Sequence, residues 1–126
     1  MTSNLLVTLA TADYIDQAKQ LFSSVYFNAG WKGDYMLLAY EIPEEKLVWF
    51  RERGIGVKVC SRITITKPHL AKFFLFTTEF KKWNTIVFLD ADIIVRYSLE
   101  KLTTIKGFYA CRDTDKTLLG GQFHVG

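Results

Sequence analysis

Thr85-Ile86-Val87-Phe88-Leu89-Asp90-Ala91-Asp92-Ile93-Ile94-Val95 decides how this chain is read, because an apolar, β-branched run delivers two carboxylates separated by a single residue. Its length and composition predict a buried strand over Thr85 to Leu89. Side chains alternate along an extended backbone, so Asp90 and Asp92 are expected on one side with Cα atoms about 6.5 to 7 Å apart. Anions at that spacing repel by roughly 2 to 3 kcal/mol at an effective dielectric of about 20. Water, a proton or a divalent cation must offset that repulsion. Mg²⁺ and Mn²⁺ prefer oxygen ligands and are commonly held by one or two carboxylates, with water and substrate phosphates completing the shell. The pair therefore points to a cation and, through it, to a diphosphate. The plainer alternative is that two turn-forming aspartates end a strand and face solvent.

Upstream, Leu5 to Ala10 is an apolar run of strand length, and Thr11-Ala12-Asp13 reads as a turn into a helix, with Asp13 a candidate N-cap. Ile15, Ala18, Leu21, Phe22, Val25 and Tyr26 recur at helical spacing and predict one inward stripe. Asn28-Ala29-Gly30 closes that helix, and Gly33-Asp34 opens a second strand, Tyr35 to Tyr40. Pro43 followed by Glu44 and Glu45 suits a helix start, since proline fits the first turn and acids favour the positive end of the dipole. That helix is expected to run through Leu47, Val48 and Phe50 to Arg53 and stop at Gly54. A third strand, Gly56 to Cys60, a polar connection, Ser61 to Lys67, and a third helix opened by Pro68 over His69 to Thr78 follow. Phe73, Phe74 and Phe76 read as packing residues. Beyond Asp92 the pattern continues with Ile93 to Val95, a short helical turn around Ser98 to Leu102, and a β-like run, Gly107 to Cys111. Leu118 to Gly126 reads as the start or middle of another strand, so the fold is expected to be incomplete at the C-terminus.

The β-α-β-α-β-α-β order predicts an α/β fold: a mostly parallel, Rossmann-like sheet flanked by helices. Ligands bind such sheets outside the carboxyl ends of the strands, where the strand order reverses. Thr8 to Tyr14 and Asp90 to Asp92 both fall at carboxyl ends, so two distant regions are expected to converge on one crevice.

Composition narrows the function. The chain has 126 residues, 49% apolar, which reads as one domain, 1–126, with ample core. Its net charge of +3 is spread without a basic block, which argues against nucleic-acid binding. Cys60 and Cys111 each end a β-like run and read as free thiols rather than a disulfide. Leu5 to Ala10 is too short for a signal segment or a membrane span, so a cytoplasmic protein is expected.

Val7-Thr8-Leu9-Ala10-Thr11 near the N-terminus and Phe88-Leu89-Asp90-Ala91-Asp92 far downstream resemble the nucleotide-sugar half of family 8 glycosyltransferases, the glycogenin and galactosyltransferase type with a GT-A fold. His69-Leu70-Ala71-Lys72-Phe73 and Ser98-Leu99-Glu100-Lys101-Leu102 are also similar to that family. The resemblance covers essentially the whole chain but about the first half of a family catalytic domain. It implies transfer of a hexose, with retention, from a UDP-sugar donor, with Mn²⁺ or Mg²⁺ held by Asp90 and Asp92. It further implies that Leu9, Thr11, Ala12 and Tyr14 frame the base and ribose, that Ala91 is small enough to let the ribose approach the backbone, and that Lys72 reaches toward the sugar or phosphates. Arg62, in the polar connection, is a further candidate for a phosphate or donor hydroxyl. Each has an ordinary alternative: a solvated helix lysine for Lys72, a core aromatic for Tyr14 and a surface arginine for Arg62.

The chain departs from the family in two places. The third metal ligand, normally a histidine near the end of the catalytic domain, has no counterpart, and His124 in Phe123-His124-Val125-Gly126 stands where the family tends to have asparagine. The acceptor, whether glycan, polyol, lipid or protein, is not legible, and neither is the oligomeric state. Two other classes fit an Asp-x-Asp strand. A haloacid dehalogenase-like phosphohydrolase would use the first Asp as nucleophile, but that family normally carries its motif near the N-terminus. A noncatalytic nucleotide-binding module would bind without turnover.

Overall fold

Leu5, Leu6, Val7 and Thr8 are all fully buried, which is possible only for a strand covered on both faces and paired on both edges. In a computed structural model, which describes residues 4–63 and 65–104 and only the backbone of His69 and Lys72, this strand is the centre of the sheet. The strands are β1 (Asn4–Ala10), β2 (Asp34–Tyr40), β3 (Gly56–Cys60) and β4 (Thr85–Phe88), and the α-helices are α1 (Ile15–Ser24) and α2 (Val48–Glu52). The sheet order is β3-β2-β1-β4. Every pairing is parallel, with Val7 opposite Met36 on one side and Phe88 on the other.

The period of two divides the core. Leu6, Ala10, Leu37 and Ala39 face a layer with Ala18, Leu21 and Phe22 of α1 and Phe50 of α2. Leu5, Val7, Leu38 and Tyr40 face the opposite layer, with Ala71 and Phe80. Each fully buried Leu or Phe is worth about 1.5–3 kcal/mol relative to exposure, so these two layers hold the sheet together.

The carboxyl ends gather on one rim. The chain winds β1 to β2 to β3 in one direction and then crosses back to lay β4 on the other side of β1. The strand order therefore reverses between β1 and β4, the position at which such sheets bind ligands.

Several elements differ from the sequence expectation. The helix after β1 widens into a π-helical turn over Val25–Ala29 before Gly30 ends it in the left-handed conformation, φ 62°. The extra residue per turn rotates the helix face, leaving Tyr26 69% exposed instead of on the inward stripe. The second helix is split into a 3-10 turn, Glu44–Lys46, and the short α2. The third forms as 3-10 segments, Pro68–Phe76 and Thr78–Phe80, rather than a continuous α-helix. With three residues per turn, residues three apart line up. Ala71, Phe74 and Phe80 therefore turn to the core, while Phe73 and Phe76, 51% and 60% exposed, meet each other outside with ring centroids 6.4 Å apart. Phe74 packs as expected; Phe73 and Phe76 do not. The short turn near Ser98 forms as a 3-10 segment at Glu100–Thr104. The expected runs Gly107 to Cys111 and Leu118 to Gly126 lie outside the described residues.

Among the described residues no helix is long and apolar enough to cross a membrane. Cys60 is a buried free thiol, and Cys111 lies outside the described residues.

Candidate functional site at the reversal of strand order

The two exit loops meet in one place. Leu9, Ala10, Thr11 and Tyr14 from the end of β1 line a cleft with Asp90, Ala91 and Asp92 from the end of β4, and Pro68 closes one side. Its volume, about 410 Å³, lies within the range of small-ligand sites. Of the sequence candidates, the structure brings Leu9, Thr11, Tyr14, Asp90, Ala91 and Asp92 together.

The acidic pair reaches the cleft by a route other than strand alternation. β4 stops at Phe88, and Asp90 to Ile93 form a turn closed by the Ile93 N–H donating to the Asp90 carbonyl at 3.1 Å. The pairing ends because the last contacts change character. The Leu89 N–H still donates to the Val7 carbonyl at 3.1 Å, but the Leu89 carbonyl accepts from the Thr8 hydroxyl at 2.6 Å instead of from a backbone amide. A side chain has taken over the ladder, and the backbone is free to turn. Asp90 and Asp92 are exposed, while Ala91 between them is buried, and all three line the cleft.

Downstream the turn is fastened again. The Val95 N–H donates to the Ser24 hydroxyl at 2.9 Å, and the Asn28 amide donates to the Val95 carbonyl at 2.8 Å. Asp90 and Asp92 thus project from a segment fixed at both ends.

Asp90 and Asp92 are the only charged groups among the described lining residues, and among the described residues neither is ion-paired. A cleft carrying two uncompensated negative charges attracts cations and repels a bare diphosphate. Among the described residues no cluster of three or more His, Cys, Asp or Glu side chains could hold a metal, and Asp90 and Asp92 are the two carboxylates lining the cleft. Two carboxylates with open positions left to water and phosphate oxygens suit Mg²⁺ or Mn²⁺ and are too few for an all-protein cage.

Tyr14 is 51% exposed and lines the cleft, so it is not a buried core aromatic. Its backbone N–H donates to the Thr11 carbonyl at 3.0 Å, which folds Ala12–Tyr14 into a 3-10 turn. Thr11 occupies the cap position of that turn without a side-chain bond, so Asp13 sits inside the first turn and is not its N-cap. Ala12 and Asp13 line a neighbouring depression with Asp16, Lys19, Glu45, Lys46 and Trp49 rather than the cleft.

Arg62 is not brought to the cleft. It follows β3, the edge strand farthest from β4, and Glu41 binds it twice: to its backbone N–H at 3.0 Å and to its guanidinium at 3.7 Å. Lys72 lies on the 3-10 segment whose first residue, Pro68, lines the cleft. Sequence reasoning missed Ala10 and Pro68 as lining residues and Thr8, Ser24 and Asn28 as fasteners. A threonine inside Leu5-Leu6-Val7-Thr8 was the one readable signal, since a buried hydroxyl needs a partner.

No protein-family model and no curated protein matches the chain. Solved structures do. The apo structure of the bifunctional glycosyltransferase WbbM superposes with a TM-score of 0.66 at 17% identity, covering 89% of this chain and 23% of that one. The apo form of the glycosyltransferase GlyE of Streptococcus pneumoniae TIGR4 gives 0.66 at 23% identity, covering 99% and 33%. A second GlyE structure gives 0.60 at 25% identity, covering 84% and 28%. The chain spans about a quarter to a third of the length of these proteins. Its four-stranded parallel sheet flanked by helices is an α/β, GT-A-like arrangement found in glycosyltransferases.

Proposed function

We propose that the chain is the donor-binding part of a glycosyltransferase that moves a hexose from a UDP-sugar to an acceptor with retention, using Mn²⁺ or Mg²⁺ held by Asp90 and Asp92. The observation that carries this reading is the meeting of the β1 exit loop with an unpaired carboxylate couplet at the reversal of strand order. The glycosyltransferase folds it matches support the same reading. Retention, the uridine donor and the family 8 assignment rest on the sequence resemblance.

The residues divide the work. Asp90 and Asp92 hold the cation, which when bound supplies charge neutralisation for the departing diphosphate. The exposed ring of Tyr14 offers a face to the pyrimidine, and the Thr11 hydroxyl with nearby backbone groups offers polar partners for its edge or the ribose. Ala91, a small residue in the cleft lining, would let the ribose lie close to the backbone. Lys72, on the adjoining segment, is the candidate cation for the sugar or phosphates. The acceptor is a glycan, polyol, lipid or protein hydroxyl, and a cytoplasmic setting suits a nucleotide-sugar donor.

Titration calorimetry with UDP, with and without Mn²⁺, tests the reading. Mn²⁺ is expected to raise UDP affinity at least tenfold, and the double variant D90N/D92N is expected to lose that gain while keeping its fold. Equal Mn²⁺-assisted affinity in the double variant refutes the proposal. A donor-hydrolysis assay then separates a transferase from a module that binds without turnover, and release of phosphate from small esters with no UDP effect points to a phosphohydrolase.

A further inference from the structure

We propose that Thr8, Ser24 and Asn28 are positioning residues for the acidic turn, acting as a three-point clamp that holds Asp90 and Asp92 in register with the β1 exit loop before any ligand arrives. The inference rests on the donor-site reading for its purpose and on separate observations for its geometry.

The turn would otherwise be loosely held. Asp90, Asp92, Ile93 and Ile94 are exposed, and a single backbone bond, from the Ile93 N–H to the Asp90 carbonyl, closes the turn. β4 lies at the edge of the described sheet and has β1 as its only strand neighbour. The clamp compensates at both ends. Thr8, 0% exposed in the middle of β1, donates its hydroxyl to the carbonyl of Leu89, the residue just before the first aspartate. Ser24, near the end of α1, uses its hydroxyl twice: it donates to the Leu21 carbonyl at 2.8 Å and accepts the Val95 N–H at 2.9 Å. Asn28, on the π-helical turn, takes the Val95 carbonyl. The widened turn is therefore the element that carries Asn28, and a π-bulge often marks a functional position in a helix.

The three contacts join residues 81, 71 and 67 positions apart, so they are tertiary decisions and not local turn chemistry. All three engage backbone atoms of Leu89 or Val95 and leave both carboxylates free for a ligand. A cation that Asp90 and Asp92 would hold needs its donors kept closely in place, and a segment ordered in advance avoids paying that ordering entropy on binding.

The test uses T8V, which keeps the shape of the buried side chain, T8S, which restores the hydroxyl, and N28A at an exposed position where folding is not at risk. Hydrogen exchange is read at the amides of Leu89 and Ile93, whose own acceptors none of these substitutions removes. The clamp predicts about tenfold faster exchange at these amides in T8V and N28A, with the β2 and β3 amides unchanged and with recovery in T8S. It also predicts about tenfold loss of the Mn²⁺-dependent gain in UDP affinity, with metal-free UDP affinity unchanged. Unaltered exchange at Leu89 and Ile93, or acceleration spread evenly over the sheet, overturns the clamp. If T8V does not fold, N28A decides by itself. If the unmodified chain shows no Mn²⁺-dependent gain, the donor-site reading falls, while the exchange result still decides whether the clamp exists.

Discussion

Replacing Gly33 by alanine presses a Cβ against the start of β1. The added carbon meets the Asn4 carbonyl oxygen, with the carbonyl carbon at 2.9 Å and the Asn4 Cβ at 3.0 Å. Ordinary carbon–oxygen contacts across neighbouring strands lie near 3.3–3.6 Å, and the obstructing atoms are backbone, so no rotamer change relieves the contact. β1 and β2 must separate where Leu5 pairs with Asp34. Losing one or two ladder bonds at about 1 kcal/mol each, with overpacking of about 1–3 kcal/mol, predicts destabilisation of about 2–5 kcal/mol. For a domain of this size that lowers Tm by about 8–20 °C. Gly33 lies at the opposite end of the strands from the cleft, so UDP affinity measured well below the new Tm is expected to remain within about twofold. Gly56→Ala is the control: its nearest neighbour, the Tyr35 carbonyl oxygen, lies at 3.4 Å, and the change is expected to fall within about 0.5 kcal/mol. A scanning calorimetry Tm for Gly33→Ala within 2 °C of the unmodified chain, taking about 2 °C as the error of such a comparison, refutes the close-approach argument.

Phe50→Ala removes a fully buried ring that meets Phe22 edge-on at 6.0 Å and Trp49 at 5.1 Å, and chemical denaturation should show a loss of about 3–5 kcal/mol. The Tyr35 hydroxyl is buried with no hydrogen-bond partner among the described residues, so Tyr35→Phe should leave stability at pH 7 unchanged or raise it by up to about 1 kcal/mol. Burial, with a smaller contribution from the nearby Tyr26, pushes the Tyr35 phenol above its ordinary value. The unfolded chain therefore ionises first. The stabilisation is complete below about pH 10 and is lost as pH rises through the higher folded value, and Tyr35→Phe should flatten that decline in urea midpoints measured from pH 8 to 11. Single D90N and D92N variants should each weaken Mn²⁺-dependent UDP binding about tenfold or more by calorimetry, with metal-free UDP binding changed less than twofold.

The legible part of the fold was the part carried by local pattern. Among the described residues, each strand was readable to within a residue, because short apolar runs between polar or glycine-containing segments have few alternatives. Helix character was readable less well. The run after Pro68 has the apolar content of an α-helix, but its 3-10 winding depends on which residues the sheet accepts, and that put Phe73 and Phe76 outside. The identity of the acidic pair was readable and its conformation was not: alternation assumes a strand, and the strand ends where a hydroxyl from β1 replaces a backbone donor.

Local pattern was enough for the alternation of strands and helices, the parallel sheet and the presence of two carboxylates at a carboxyl end, since periodicity and composition act over a few neighbouring residues. Three-dimensional packing set β4 beside β1, put Tyr14 in the cleft lining, kept Arg62 with Glu41, and bonded Thr8, Ser24 and Asn28 to the backbone on either side of the acidic turn. Those outcomes depend on contacts between residues distant along the chain, and such contacts are chosen by packing the whole sheet at once.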